Sequence, residues 1–84
     1  MLEDARISHV PHGFELGLSP REAEVLALLS LGLTNPQIAG RLRVTVHAVK
    51  FHLAAIYRKL GVANRTEATA VYLRGTAAPW IRNA

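Results

Sequence analysis

The chain has 84 residues, half of them hydrophobic, and a formal net charge of +4 at pH 7. This length supports one small domain. Because the sequence contains no cysteine, disulfides and thiolate metal sites are excluded. No apolar run approaches the roughly 20 residues of a membrane span, and the N-terminus lacks the basic-then-apolar order of a secretory signal. We therefore expect a cytoplasmic protein with no membrane partner.

The charged residues are distributed unevenly along the sequence. No acidic residue occurs from Val25 to Thr66, and the basic residues of this stretch are Arg41, Arg43, Lys50, Arg58, Lys59 and Arg65. An ordinary solvated basic face is one explanation. Contact with nucleic acid is the other, and it is favoured when such charges lie on a pair of helices built for docking.

Residues 1–17 are predicted to be a tail or the remnant of a linker. Pro11 and Gly13 interrupt any helix in this segment. His9 and His12 are three residues apart, but no helix orients them and no further ligand accompanies them. We interpret both histidines as surface residues and predict no metal site.

The domain is predicted to span residues 18–74 and to begin with two capped helices. Ser19 can cap the first helix while Glu22 returns a hydrogen bond, and Thr34 and Gln37 repeat this capping box at the second helix. The second helix is only about two turns long, so it needs packing against its neighbours to be stable.

A tight turn joins the second helix to the third. Only Arg43 and Val44 separate Leu42 from Thr45, which can cap the third helix, and this spacing is typical of a helix-turn-helix. Many such turns use glycine. Arg43 occupies the corresponding place, so a left-handed conformation there would cost on the order of 1 kcal/mol.

The third helix, predicted from Val46 to Leu60, has two distinct sides. Its core stripe consists of Val49, Leu53, Ile56 and Leu60. The opposite side carries His47, Phe51, Ala54 and Arg58, with Lys50 and Tyr57 on one flank. His52 lies at the edge of the core stripe, and we interpret it as a hydrogen-bonded structural residue.

Phe51 is unusual because it is an aromatic residue opposite the core stripe. One explanation is a second packing surface that covers it. The other is entry of this side into the major groove of DNA, which admits an α-helix. Phe51 would then touch thymine methyl groups, Lys50 would reach a guanine edge or a phosphate, and Ala54 would allow close approach. His47 and Arg58, near the helix ends, would meet phosphates.

The fourth helix is predicted to begin with a third capping box, formed by Asn64 and Glu67, and to continue to about Leu73. Its small residues permit close approach of another helix. Residues 75–84 contain glycine and proline and are predicted to be an irregular tail, in which Trp80 docks on the domain or on a partner.

The sequence contains, in this order, LSPREAEVL, GLTN, VKFHL and KLGVANRTEA. With these segments it resembles the LuxR-type (GerE, NarL/FixJ) helix-turn-helix domain over about Leu18 to Leu73. The resemblance implies an all-α fold, a four-helix bundle containing a helix-turn-helix, in a bacterial transcription regulator or the output domain of a response regulator. Members usually carry a receiver or ligand-binding domain as well, and the residues before Leu18 are too few to fold into one.

The resemblance also implies a third helix that reads the major groove and a last helix that forms a homodimer contact. Together with the helix pattern it predicts the following DNA-binding residues: Thr34, Asn35, Thr45, His47, Val49, Lys50, Phe51, Ala54 and Arg58. The first three of these lie at helix starts, where exposed N–H groups favour phosphate. The predicted dimer contacts are Ala68, Thr69, Val71 and Tyr72. Packing of these four residues within the monomer is the alternative.

The expected partners are double-stranded DNA, a second copy of the chain on a two-fold operator, and RNA polymerase as a further candidate. One alternative is promoter recognition in the manner of the fourth region of a sigma factor. Another is a helical protein-interaction module with Phe51 as an interface anchor. An enzyme is not expected, because the sequence has no Gly-rich phosphate loop, no cysteine nucleophile and no H-E-x-x-H motif. No catalytic residue, cofactor or small-molecule ligand is predicted.

Overall fold

The structure, a computed structural model, describes residues 16–74. These residues form four helices and no strand: α1 (Pro20–Ser30), α2 (Asn35–Leu42), α3 (Val46–Leu60) and α4 (Arg65–Arg74). The predicted all-α fold is confirmed. None of these four helices is both long enough and apolar enough to cross a membrane. The segments with His9, His12 and Trp80 lie outside the described residues.

The first two helices begin as predicted, each with a complete capping box. At α1 the Glu22 amide donates to Ser19 Oγ at 3.1 Å, and the Ser19 amide donates to Glu22 Oε1 at 2.9 Å. At α2 the Gln37 amide donates to Thr34 Oγ1 at 3.3 Å, and the Thr34 amide donates to Gln37 Oε1 at 2.8 Å. Each box satisfies two backbone donors that the helix itself leaves without a partner.

Helices α1 and α3 end at left-handed glycines, Gly32 at φ 93° and Gly61 at φ 70°. After Gly32, the Leu33 amide donates to the Leu28 carbonyl at 3.3 Å, which closes the end of α1. The turn between α2 and α3 uses no glycine. Arg43 takes the left-handed conformation there, with φ 60° and ψ 45°, so the backbone cost that the sequence raised as a condition applies. An L-residue in this conformation costs roughly 1–2 kcal/mol.

The start of α4 differs from the prediction. Asn64 Oδ1 accepts from the Glu67 amide at 2.9 Å, which is one half of a capping box. The Glu67 carboxylate, however, accepts from the Ala63 amide at 2.8 Å and not from the amide of Asn64. The predicted reciprocal bond is therefore wrong. The carboxylate still satisfies a backbone donor, but one residue earlier in the chain.

The core lies between α1 and α3, and α2 and α4 close it from two sides. Helix α1 packs against all three other helices, α3 packs against both α2 and α4, and the backbones of α2 and α4 do not meet. The core residues are Leu18, Val25, Leu26, Leu29, Ile38, Ala39, Val49, Leu53, Ile56, Leu60, Ala68 and Val71. Because α2 has only eight residues, its stability depends on this packing.

Two polar features accompany the apolar core. Glu22 is buried, and its Oε1 accepts from the Lys59 ammonium at 2.8 Å, which links the first turn of α1 to the last turn of α3. At the other end of α1, the Ser30 hydroxyl oxygen is buried with no hydrogen-bond partner among the described residues. The contact between Lys59 and Glu22 fixes the position of α3 along α1. The buried Ser30 hydroxyl lowers the stability of the fold locally.

Candidate nucleic-acid interface

Helix α3 has a buried side and an open side. The predicted core stripe is confirmed: Val49, Leu53, Ile56 and Leu60 are all buried. The open face of α3, as we use the term here, consists of His47, Lys50, Phe51, Ala54 and Arg58, and each of these is exposed. The helix therefore presents one continuous strip of side chains that the fold does not use.

Phe51 is the most conspicuous residue of the open face, with 70% of its surface exposed. No second packing surface formed by residues 16–74 covers it. Its ring meets the edge of the His52 ring, with centroids 6.0 Å apart and planes at 69°. His52 was expected to be a hydrogen-bonded structural residue, but no hydrogen bond within the described part involves its ring. Half-buried beside Phe51, it instead supports one side of the aromatic side chain.

Val49 is the one predicted DNA contact of α3 that does not lie on the open face. Its side chain is fully buried in the core. The helix period placed Val49 in the core stripe, whereas the family resemblance suggested a contact with DNA. The structure agrees with the period, because a side chain enclosed by the core cannot reach a ligand outside it. We therefore exclude the Val49 side chain from the candidate interface.

The open face carries positive charge that no acidic residue between 16 and 74 pairs with. The two ion pairs found in this part of the chain join Lys59 to Glu22 and Arg21 to Glu24. Neither involves a cation of the open face. Within the described residues, Lys50 and Arg58 thus form no ion pair, which suits contact with a phosphate backbone.

The helix starts add hydroxyl and amide groups to the candidate interface. Thr45 caps α3, its Oγ1 accepting from the Ala48 amide at 3.0 Å, and Thr34 caps α2 in the same manner. A capping hydroxyl uses its oxygen as acceptor and keeps its hydrogen for an external acceptor. Asn35 begins α2 and is half-buried. All three residues thus stand where exposed N–H groups favour an anion.

Arg65 is a residue of this region that sequence reasoning missed. Its guanidinium donates to the Leu33 carbonyl and to Asn35 Oδ1, each at 2.9 Å. A signal existed in the sequence. Arg65 is the first residue of α4, and a cation at a helix N-terminus is unfavourable with respect to the helix dipole. A cation in that place indicates a partner elsewhere in the fold.

The predicted dimer contacts divide into two pairs. Ala68 and Val71 are fully buried and belong to the core of the monomer, so their side chains cannot contact a second copy. Packing within the monomer is the alternative that the sequence left open for these two residues. Thr69 and Tyr72 are half-buried, and the neighbouring Leu73 is 70% exposed. Within the described residues, this outer side of α4 is partly exposed.

The part of the chain that matches a known family has nearly the same boundaries as the described fold. The sequence model of the family described as "Bacterial regulatory proteins, luxR family" matches residues 16–72. The chain belongs to this family. The matched luxR-family region contains α1, α2 and α3 entirely and all but the last two residues of α4.

Similar proteins include larger proteins whose names describe transcriptional regulators. The "Probable transcriptional regulatory protein SgaR" of Hyphomicrobium methylovorum is 48% identical over 56 residues, which cover 67% of this chain and 26% of that protein. The "HTH-type transcriptional regulator MalT" of Serratia proteamaculans (strain 568) is 49% identical over 51 residues, or 61% of this chain and 6% of MalT. MalT of Yersinia enterocolitica is 47% identical over 51 residues, which again cover 61% of this chain and 6% of MalT. The chain thus spans about a quarter of one relative and a small part of the other two.

Proposed function

We propose that this chain is a sequence-specific, double-stranded-DNA-binding part of a bacterial transcription regulator, with α3 in the major groove. The observation that carries this proposal is the open face of α3, where Lys50, Phe51 and Arg58 project from a helix whose other side is core. The major groove is wide enough for an α-helix. Membership of the luxR family and the names of the relatives, which are transcriptional regulators, support the same function.

The centre of the open face would read base edges. Phe51 would lie against thymine methyl groups, and Lys50 would reach guanine O6 or N7 or a nearby phosphate. Ala54 lies one turn beyond Lys50 and has only a methyl group, which lets the helix approach the base pairs closely. We infer that sequence preference depends mainly on Lys50 and Phe51.

The periphery of the interface would hold the DNA backbone. His47 and Arg58, near the two ends of α3, would contact phosphates and set its register in the groove. Thr34, Asn35 and Thr45 would donate to phosphates from the starts of α2 and α3, where the partial positive charge of each helix favours an anion. These contacts give affinity and orientation and carry no base information themselves.

Dimerisation would use the outer side of α4. Leu73 is exposed and Thr69 and Tyr72 are half-buried among residues 16–74, so the three form a partly apolar strip on this side of the helix. Two copies related by a two-fold axis would place two α3 helices in successive major grooves of a palindromic site. In this setting the chain acts in the cytoplasm, residues 18–74 form the DNA-binding unit, and RNA polymerase is a candidate further partner at the promoter.

The central experiment is a selection of bound duplexes from a random pool, followed by titration of the best duplex at several salt concentrations. We expect an enriched palindromic sequence and an affinity that falls with salt, with a log–log slope of about −0.9 per phosphate contacted. Lys50→Ala is expected to weaken binding about tenfold or more, or to relax the preference at one base pair, since a good base contact is worth roughly 1–3 kcal/mol.

Arg21→Ala is the matched control for Lys50→Ala. It also removes one positive charge, but from α1, where Arg21 forms an exposed pair with Glu24 at 3.2 Å. Such pairs contribute little to stability, and we expect its DNA affinity to stay within about twofold of the unmodified chain. A chain that enriches no duplex and shows no salt-dependent binding would refute the DNA-binding proposal. Retained capture of a protein partner would then favour an interaction module built on Phe51.

The dimer is tested separately by sedimentation at micromolar concentration, with and without the selected duplex. We expect two protein chains per duplex. A complex of one chain with one duplex, together with a selected site that lacks two-fold symmetry, would refute dimerisation while leaving the DNA-binding proposal intact.

A further inference from the structure

The Arg65 side chain connects two helices, α4 and α2, whose backbones do not pack together. Arg65 begins α4, whereas Leu33 and Asn35 flank the start of α2, and the backbones of these two helices do not pack together. One guanidinium nitrogen donates to the Leu33 carbonyl and another to Asn35 Oδ1, both at 2.9 Å. The planar fork of the guanidinium reaches both acceptors at once, which a lysine ammonium could not do with the same geometry.

This contact fixes the direction of the Asn35 carboxamide. A guanidinium carries only donors, so the carboxamide must turn its oxygen towards Arg65 and its nitrogen away from it. No hydrogen bond among the described residues uses that nitrogen. Within residues 16–74, both N–H bonds of Asn35 Nδ2 therefore have no acceptor.

Several other donors at this helix start are already occupied or absent. The backbone amides of Thr34 and Gln37 are bound to each other's side chains in the capping box. Pro36, the next residue of α2 after Asn35, has no N–H. The carboxamide of Asn35 thus joins the Thr34 hydroxyl as a side-chain donor through which this end of α2 can meet an acceptor.

We propose that Arg65 is a positioning residue for DNA binding. It holds the oxygen of the Asn35 carboxamide so that the two hydrogens of Nδ2 face the phosphate backbone, and it does not touch the DNA itself. This role rests on the proposed function, and it gives α4 a direct effect on the helix-turn-helix. A change at the start of α4 alters how α2 holds the DNA backbone without any change in α3.

Asn35→Asp is the most informative variant. The carboxylate keeps an oxygen for Arg65, strengthens that contact by its charge and is favourable in the first turn of a helix. The melting temperature is therefore expected to stay the same or rise. The donors facing the phosphate are replaced by acceptors, so DNA affinity is expected to fall tenfold or more, the value of a hydrogen bond to a charged group. Opposite directions in stability and affinity are not expected from a purely structural role.

Asn64→Asp is the matched control, because it makes the same change of charge at the start of α4. Asn64 Oδ1 caps α4 by accepting from the Glu67 amide, and aspartate caps a helix about as well as asparagine. We expect its DNA affinity to remain within about threefold of the unmodified chain, a loss set by screened long-range charge alone. An equal loss in Asn64→Asp and Asn35→Asp would attribute the effect to net charge and overturn the proposal.

Arg65→Ala separates positioning from direct contact. We expect DNA affinity to fall roughly tenfold, the value of one charged hydrogen bond, while the log–log salt slope stays unchanged. A slope smaller by about 0.9 would show that Arg65 itself neutralises a phosphate, and would overturn the proposal. The double variant Asn35→Ala with Arg65→Ala is expected to bind about as weakly as Asn35→Ala alone, because both changes remove one contact. Losses that multiply would refute this coupling.

The outcomes also distinguish this inference from the proposed function. If the unmodified chain binds no duplex, the proposed function fails and the role of Arg65 fails with it. If the chain binds a duplex and Lys50→Ala weakens it, but Asn35→Asp binds as tightly as the unmodified chain, the inference about Arg65 alone is refuted. Arg65→Lys replaces Arg65→Ala as the test variant if Arg65→Ala does not fold. It is expected to lose a large part of the DNA affinity. Full DNA affinity in Arg65→Lys would contradict the proposed role of the planar guanidinium, which binds two acceptors at once.

Discussion

The Lys59 ammonium lies 2.8 Å from Oε1 of Glu22, and the same oxygen accepts from the Ser19 amide at 2.9 Å. One carboxylate oxygen thus closes the capping box of α1 and also binds the last turn of α3. Burial raises the pKa of the Glu22 carboxyl, but the hydrogen bonds and charge of Lys59 and the bonds from Ser19 lower it by more. The net pKa lies below its ordinary value.

The Glu22 contacts predict a specific loss of stability in acid. A carboxyl whose pKa is lower in the folded state stabilises the fold above its unfolded pKa of about 4.3, and this contribution disappears as the pH falls towards the folded pKa. Glu22→Gln is expected to reduce the free energy of unfolding by about 1 kcal/mol at pH 7, a modest value because Lys59 is partly exposed. Urea titrations between pH 7 and pH 3 measure the difference, which should shrink below about pH 4.

Glu24→Gln is the control for this acid effect. Its pair with Arg21 is exposed on both sides, and such pairs contribute little to stability. We expect its curve to follow that of the unmodified chain across the pH range. A Glu22→Gln penalty that stays constant down to pH 3 would contradict the assigned role of the Glu22 charge.

The left-handed turn residue predicts a stabilising substitution. Arg43→Gly removes the strain of an L-residue at φ 60°, and we expect the free energy of unfolding to rise by about 1 kcal/mol after the entropy of glycine in the unfolded chain is deducted. Arg41→Gly is the matched control inside α2, where glycine is expected to cost about 1 kcal/mol. Denaturant titration of both variants measures whether the free energy of unfolding rises or falls in each. A loss of stability in Arg43→Gly would mean that contacts of the Arg43 side chain outweigh the backbone strain.

Substitution by alanine is expected to have opposite effects on stability at two serines, Ser30 in α1 and Ser19 at its N-cap. The Ser30 hydroxyl oxygen is buried without a partner in the described structure, so Ser30→Ala removes a desolvation cost and improves helix propensity. We expect a gain of up to about 1 kcal/mol. Ser19→Ala removes the N-cap and should cost about 1 kcal/mol. Melting temperatures of both variants test the pair, and a drop in Ser30→Ala would indicate that its hydroxyl has a partner in solution.

The two sides of α3 predict separable effects on folding and binding. Phe51→Ala should leave stability within about 0.5 kcal/mol, since the side chain is 70% exposed, but should weaken binding to the selected duplex. Ile56→Ala, on the buried side of the same helix, should cost roughly 2–5 kcal/mol of stability. Unfolding and DNA titration are measured on both variants. Unchanged affinity in Phe51→Ala would remove Phe51 from the proposed interface.

Much of this fold could be predicted because its signals are local. The boxes of Ser19 with Glu22 and of Thr34 with Gln37 involve residues three positions apart, and the tight turn at Arg43 follows from a two-residue gap between helices. Local spacing was less reliable for Glu67. Its carboxylate can reach several amides of the preceding turn, and the prediction chose the wrong one.

The contacts between distant segments could not be predicted in this way. Lys59 and Glu22 are 37 residues apart, and Arg65 is 30 residues from Asn35, so each contact depends on how whole helices are oriented in the fold. For a related reason, the sequence could not decide between burial and a dimer contact for Ala68 and Val71. In α4 small residues occur on several sides, so the sequence does not mark one side as core.

The position of Val71 in the core has a consequence for biosynthesis. Helix α4 supplies Ala68 and Val71 to a core whose other members come from α1, α2, α3 and Leu18, which precedes α1. The ribosome must therefore release the chain through at least Val71 before that core can be complete. Because domains generally fold as units, we expect the stable fold to form once α4 has emerged.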